Sequence, residues 1–423
     1  MIRNILLSTI AATGIALSAS AQDIAIVNAT VWTGTEAGTL EQATIYIQDG
    51  QIEGLGVNFA PPSGTEIINA EGQWVTPGII APFSRVGTVE VGAESSTNDT
   101  SASGSPFSVA LRAADGFNPA ATTVAVTRIE GITQIAVAPA NGSSMIAGQG
   151  FVADTSGTDG SIRDPRAFIY INLGESGADL AGGSRPAAWA ALRGAFADAR
   201  GYPARFMAHN EGDTLTRADA QAFGAAVRGQ QLILISAHRA SDLRLIMDLK
   251  VANPNLDLAI VGADEGWLVA DELAAANIPV IVDPFSNLPA SFAQLGATAR
   301  NAERLIAAGV PTAFAHLGNS GHQTRLVLQS AGNAVANGVD FDDAMTAMTV
   351  TPADIFDLPN VGSIARGQQA DLVIWDGDPI EITSAPSAVF INGEAQSLES
   401  RQTKLRDRYL DLDESEKPLA YKR

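Results

Sequence analysis

Four histidines are the only imidazoles that this chain of 423 residues offers for chemistry, and cysteine is absent. They are His209, His238, His316 and His322. A catalytic zinc site takes about three protein ligands and leaves one position open for water. His238, His316, Glu175 and Asp264 each follow a short apolar run that predicts a strand, so a metal cluster would have to be built from these four. The alternative is that each is a hydrogen-bonded rim or helix residue, with His209 on the surface and His322 capping a helix start or lining the pocket.

Other reaction classes lack their characteristic patterns. No G-x-S-x-G stretch marks the turn that carries a hydrolase serine. Ser236 and His238 stand almost adjacent on one predicted strand, which is poor geometry for a nucleophile and its base. The glycine-rich stretch 142–150 lacks the Lys-[Ser/Thr] ending of a phosphate-binding loop, so we interpret it as a plain loop between a strand and a helix.

Composition and charge favour an exported globular protein. Arg3, the apolar run 5–17 and the small residues at Ala19 and Ala21 predict a signal peptide over 1–21, with cleavage near Ala21 and a periplasmic or extracellular location. The formal net charge of −20 argues against nucleic-acid partners, because phosphate contacts need clustered Lys and Arg. No later apolar run reaches the roughly 18 residues of a membrane span, so we expect no membrane insertion.

Two β-rich segments enclose a middle part that alternates apolar strands with helical stretches. The pattern of the middle part predicts an α/β protein with a (β/α)8 TIM-type barrel, and a doubly wound open sheet is the alternative. No GxGxxG turn follows a strand, which weakens the dinucleotide-binding version of that alternative. The predicted barrel strands are 75–80, 122–127, 132–139, 167–174, 232–238, 256–263, 278–284 and 311–316. The Ser/Thr/Gly-rich stretch 91–108 predicts a loop over the barrel mouth.

The order of these pieces resembles the amidohydrolase superfamily, in an exported, imidazolonepropionase-like branch. The motifs that carry the resemblance are "GQWVTPGII", "GSIARGQQADLVIWDGDP" and "VFINGE", and it covers about residues 23–396. It implies a small β-sandwich built from 22–75 and 356–400, a metal-binding barrel over 76–355, and a C-terminal tail over 401–423. It also implies hydrolysis of amide, amidine or ester bonds by a water that zinc or another divalent metal activates.

The family's metal ligands do not reappear at the matching positions. The two histidines after the first strand fall on Phe83 and Arg85, the strand-5 histidine on Ser236, and the strand-6 histidine on or beside Gly262. A phenyl ring has no lone pair to donate, and a guanidinium is always cationic. The strand-8 aspartate falls near Ala315 or His316, and no lysine precedes Lys250, so no carboxylated lysine follows strand 4. The sequence therefore predicts that no metal cofactor is held.

Arg85 is the position at which a new role is expected. The resemblance places it in the barrel mouth, where it would bind a carboxylate ligand or pair with Asp264 or Asp283. The favoured interpretation is a metal-free, catalytically degenerate member of the family that serves as a binding or partner protein. Its partner would be a small molecule, a second copy of this chain or an active relative. The alternative is a hydrolase of non-peptide C–N bonds that uses a rearranged site.

Overall fold

The computed structural model describes residues 23–207, 212–318 and 321–410, so His209 and the predicted signal peptide lie outside the described residues. The strands are β1 (Ile24–Trp32), β2 (Thr39–Gln48), β3 (Gln51–Gly56), β4 (Glu66–Asn69), β5 (Trp74–Pro77), β6 (Ile79–Ser84), β7 (Ile132–Val137), β8 (Ile146–Asp154), β9 (Ile162–Asn172), β10 (Leu232–Ala237), β11 (Leu258–Gly262), β12 (Val280–Val282), β13 (Thr312–Phe314), β14 (Leu372–Trp375), β15 (Pro386–Ile391) and β16 (Glu394–Ala395). The helices are α1 (Thr122–Arg128), α2 (Glu175–Leu180), α3 (Arg185–Gly201), α4 (Arg217–Phe223), α5 (Ala240–Ala252), α6 (Ala270–Ala276), α7 (Asn301–Ala307), α8 (Val327–Ala336), α9 (Phe341–Met348), α10 (Val350–Ile355) and α11 (Arg401–Leu410).

Both ends of the chain contribute to one eight-stranded sheet. Its order is β16-β15-β14-β5-β1-β2-β3, with β4 beside β1. Asp49 and Gly50 take positive φ angles of 49° and 79° between β2 and β3, as a tight hairpin turn requires. β5 pairs antiparallel with β14, and the buried Trp375 indole donates a 2.9 Å hydrogen bond to Thr76 Oγ1 across that pair. Strands β1 to β5 and β14 to β16 thus form one sheet, while the domain bounds 22–75 and 356–400 and the closure into a sandwich stay predictions.

The middle of the chain forms a second eight-stranded sheet, in the order β6 to β13. Seven of its strands run parallel, and β8 runs antiparallel to both of its neighbours. β13 lies against β6, which brings the two edges together into a nearly closed barrel. The predicted α/β barrel is therefore present, but hairpins rather than helices join β7, β8 and β9.

Two predictions along the barrel were wrong. The stretch 122–127, rich in the β-formers Thr and Val, is helix α1, because packing outside β7 overrides local propensity. The stretch 142–150, interpreted as a loop, enters the fully buried strand β8. Its Gly150 leaves room for the Phe168 ring, since a Cβ there would lie 2.1 Å from Phe168 Cζ. Glycine in this strand marks a close approach of an aromatic ring rather than a turn.

Apolar side chains fill both faces of the barrel wall. One cluster packs between the strands and the surrounding helices, and a second fills the interior. Phe356, after α10, packs on Phe168 with ring centroids 5.5 Å apart and closes the amino-terminal end of the interior. Within the described ranges, every helix is too short or too polar to cross a bilayer.

Candidate functional site

The barrel mouth is the end at which the seven parallel strands finish, namely β6, β7, β9, β10, β11, β12 and β13. Ligand sites of (β/α)8 barrels lie at this end, where the connections that follow the strands meet. The predicted loop 91–108 approaches it, because Thr100 accepts a 2.7 Å hydrogen bond from the amide of Ala140, just after β7. The interior side chains are Phe83, Ala136, Ala138, Ala147, Val152, Phe168, Tyr170, Leu232, Leu234, Ala259, Val261, Ile281, Ala313, Ala315, Ile355 and Phe356.

An aromatic pair fills the mouth near the ends of β6 and β9. The rings of Phe83 and Tyr170 meet edge to face with centroids 5.3 Å apart, and both residues are buried. Burial raises the pKa of Tyr170, while the charge of Arg85 and a hydrogen bond with Ser236 act in the opposite direction. Tyr170 therefore stays a neutral phenol at physiological pH, and Ser236 is held as its hydrogen-bonding partner.

Arg85 brings a cation to the same place. Its guanidinium carbon lies 5.8 Å from the centroid of the Phe83 ring. Burial lowers the pKa of Arg85, and the neighbouring Tyr170 opposes that shift. Asp264 and Asp283, the two carboxylates expected as its partners, accept hydrogen bonds from Ser286 and from the amide of Leu317, respectively. Because guanidinium remains protonated even in buried sites, the mouth carries a permanent positive charge.

Gly262 ends β11 and leaves the space that the His238 imidazole occupies. A Cβ at Gly262 would lie 2.5 Å from His238 Cε1 and 2.6 Å from Nδ1, and the backbone there has φ +103°. Its neighbour Val261 is the side chain that faces the interior at this strand end. A histidine at position 262 would therefore collide with His238 unless that ring moved.

His238 belongs to a hydrogen-bonded network on the rim, formed with Asp264, Ser286 and Gln294. Its Nδ1 bonds to Asp264 Oδ2, and Ser286 Oγ donates to Asp264 Oδ1. Gln294 Nε2 donates a third hydrogen bond to Asp264, at 3.2 Å. Burial alone would raise the pKa of Asp264, but these hydrogen bonds outweigh it and lower the pKa below its usual value. Asp264 is thus an ionised carboxylate that orients one imidazole, and we call these four residues the rim network.

His316 lies in a separate group at the ends of β12 and β13. Its Nδ1 is 3.7 Å from Asp283 Oδ2, and its Nε2 is 3.3 Å from Gln323 Oε1. Its ring meets Phe285 edge-on, with centroids 5.8 Å apart. Asp283 also accepts a 2.8 Å hydrogen bond from the amide of Leu317. This aspartate fixes the connection after β13, whereas His316 Nδ1 makes no hydrogen bond to any described residue.

The remaining predicted pocket residues do not join either group. Glu175 is half-buried in the first turn of α2, and His322 is exposed in the turn after the mouth. The cluster expected from Glu175, His238, Asp264 and His316 thus divides: His238 and Asp264 meet, while His316 pairs with Asp283. Within the described residues, no three His, Asp or Glu side chains are arranged to hold a metal ion.

The model of the amidohydrolase family matches residues 103–398 of this chain. The chain belongs to the amidohydrolase family. An amidohydrolase from Thermotoga maritima is 24% identical and superposes with a TM-score of 0.78, over 88% of this chain and 99% of that one. A Xaa-Pro dipeptidase with bound methionine is 15% identical with a TM-score of 0.58, over 89% of this chain and 100% of that one.

A curated relative shares the family in sequence. Amidohydrolase tasK of Hapsidospora irregularis is 24% identical in an alignment over 370 residues that covers 79% of this chain. The chain spans 37% of the length of that relative. These similarities establish the family and the fold, whereas the chemistry depends on the residues at the mouth.

The donor set at the mouth does not fit the metal of an amidohydrolase. Phe83 and Gly262 supply no side-chain ligand atom, and Arg85 adds a cation that repels a metal ion. Ser236 is bonded to Tyr170, and the interior residue at the strand-8 end is Ala315. A divalent ion would thus face apolar carbon, a phenol and a guanidinium where the family places imidazoles and carboxylates.

Three residues of the site were not predicted from the sequence, namely Tyr170, Ser286 and Gln294. Tyr170 lies two residues after Phe168 on β9 and so shares its inward face, which the period of a strand predicts, although its contact with Arg85 does not follow from that period. Ser286 and Gln294 lie in the irregular connection after β12, where no periodicity predicts which side chain reaches Asp264.

Proposed function

We propose that this amidohydrolase-family protein works without the family's metal, as a binding protein whose small ligand enters the barrel mouth. The observation that carries the proposal is the Arg85 guanidinium beside Phe83 and Tyr170, where a metal would have to sit. A fixed cation against aromatic rings suits a carboxylate ligand with an apolar part. The protein is further proposed to act outside the cytoplasm, alone or beside an active relative.

Metal content tests the proposal directly. The purified protein is incubated with zinc or manganese, dialysed, and measured by elemental analysis. We expect less than about 0.1 metal per chain, because a catalytic site needs about three ligands. The His238→Ala variant, processed in parallel, should give the same value. A content near one metal per chain in the wild type would reject the proposal.

The Arg85→Ala variant gives a second test of the proposal. It should lower thermal stability or weaken ligand binding, because a buried cation and its contacts are lost. It should leave any measurable hydrolysis in place. Loss of a robust hydrolytic activity on this change would show that the mouth is a catalytic centre.

The rim network favours a second candidate function, the hydrolysis of non-peptide C–N bonds without a metal. An imidazole held through Nδ1 by an ionised carboxylate can take and return a proton at Nε2. The His238 side chain is 26% exposed, so a substrate in the mouth can reach it.

A pair of histidine variants tests that second function. If it is correct, His238→Asn should lower kcat/KM on a responding amide or cyclic imide at least about 100-fold, in the range of general acid–base catalysis. His316→Asn, at the neighbouring Asp283, is the matched control and should stay within a few fold. Retained activity in His238→Asn, or no turnover by the wild type across such compounds, would exclude this candidate.

A further inference from the structure

A groove runs between the outer faces of α3 and α5, away from the barrel interior. It encloses about 480 Å³, within the range of small-molecule sites. Its lining is Arg185, Pro186, Trp189, Arg193, Arg239, Ser241, Asp242, Leu245, Asp248 and Leu249. The helices form it because the serine cap and early proline of α3 start that helix beside the first turn of α5.

One end of the groove carries an excess of positive charge. The buried carboxylate of Asp242 accepts a 2.8 Å hydrogen bond from Arg185 Nε and a 3.0 Å hydrogen bond from Arg239 Nη2. One carboxylate thus faces two guanidiniums, which leaves about one uncompensated charge. Arg185 Nη2 and Arg239 Nε are buried and have no acceptor among the described residues. Unsatisfied buried donors of this kind favour an anion that reaches them after a small side-chain rotation.

The wall beyond this charged end is apolar. Trp189 of α3 faces Leu245 and Leu249 of α5, and Leu245 is 42% exposed. Arg193 and Asp248 stand further along the groove with opposite charges, so they add no net charge there. The whole chain has a net charge of −20, so the excess positive charge beside this apolar wall is opposite in sign to the charge of the protein as a whole.

We propose that the α3–α5 groove binds an amphiphilic carboxylate, with its head at Arg185 and Arg239 and its tail along Trp189 and Leu245. The two guanidiniums match the geometry of a carboxylate, and the apolar wall removes the tail from water. A cationic ligand would meet the surplus charge, and a neutral one would leave the buried donors unsatisfied. This site does not depend on what occupies the barrel mouth.

Calorimetric titration with octanoate tests the site. The wild type should bind octanoate with saturable, one-to-one heat. Leu245→Glu places a repelling carboxylate in the groove at an exposed position, and Arg239→Gln removes one head contact. Each should weaken binding at least about tenfold, Leu245→Glu through charge repulsion and Arg239→Gln through the loss of a charge-assisted hydrogen bond. Octanol and octylamine should bind the wild type at least about tenfold more weakly than octanoate.

The matched control is Ile67→Glu, which introduces the same side chain at an exposed apolar residue of β4, in the other sheet. It should change octanoate affinity by less than about twofold, and circular dichroism should show that all variants are folded. Equal affinity of Leu245→Glu and wild type, equal binding of octanol and octanoate, or no saturable binding by the wild type would overturn the proposal.

Discussion

At the scale of single residues, the barrel mouth contains side chains that contact one another at the positions where the family has metal ligands. Phe83 packs on Tyr170, Tyr170 bonds to Ser236, and Arg85 adds its charge beside them. On the rim, Asp264 accepts three hydrogen bonds and fixes the ring of His238. The Asp264 carboxylate is thus satisfied by neighbouring side chains rather than by an ion, and a buried polar atom left unbonded would cost about 1–3 kcal/mol.

The Asp264→Asn variant tests the rim network through pH. A carboxylate whose folded pKa is lowered stabilises the fold above its unfolded pKa of about 3.9, and loses that contribution as pH falls through the folded pKa. At pH 5 the variant should have a free energy of unfolding lower by about 2 kcal/mol in urea denaturation. The difference from wild type should shrink below about pH 4.

The control for this experiment is Asp248→Asn, an exposed carboxylate on α5. It should change the free energy of unfolding by less than about 0.5 kcal/mol at either pH. The difference in free energy of unfolding between wild type and Asp264→Asn could instead stay constant down to about pH 3.5. That result would show that these hydrogen bonds do not lower the pKa of Asp264.

At the scale of elements, the ends of two neighbouring strands decide what the mouth contains. β10 and β11 run in parallel register, with Ala237 opposite Gly262, so the residue after β10 is carried over the end of β11. The positive φ of Gly262 turns the chain there and opens the space into which His238 fits. This local geometry brings His238 to Asp264, two residues beyond Gly262.

The Gly262→Ala variant tests this arrangement. Alanine at φ +103° is strained, and its Cβ would lie 2.5 Å from the His238 ring. We expect the free energy of unfolding to fall by about 2–3 kcal/mol and the imidazole resonance of His238 to shift in NMR spectra.

Gly309→Ala is the matched control, because Gly309 has φ +82° and a Cβ added there would have no described atom within 4 Å. This variant has the backbone strain without the collision, so its free energy of unfolding should fall by only about 1 kcal/mol. Equal losses in the two variants would mean that His238 does not occupy the space beside Gly262.

At the scale of the whole molecule, the two chain ends and the barrel are joined by buried polar contacts. Asp371, just before β14, accepts 2.6 Å hydrogen bonds from Gln134 of the barrel strand β7 and from Gln369, and its pKa is raised by burial despite these contacts. The indole of Trp32 on β1 donates a 2.8 Å hydrogen bond to Asp342 on α9. The sheet from the chain ends therefore supports the barrel wall, while the mouth lies at the strand ends.

The sequence by itself determined the family, most of the barrel strands and the lack of metal-binding side chains at the matching positions. Motifs such as "ADLVIWD" and the apolar strand runs are local patterns, and neither a phenyl ring nor a glycine has a side-chain atom that could replace a histidine ligand in any fold. Tertiary structure decided the rest. Helix α1 formed from β-forming residues because of packing, and Gly148 and Gly150 proved to lie within a strand. Likewise, the contacts of His238 with Asp264 and of Arg185 with Asp242 join residues 26 and 57 positions apart, which no periodicity specifies.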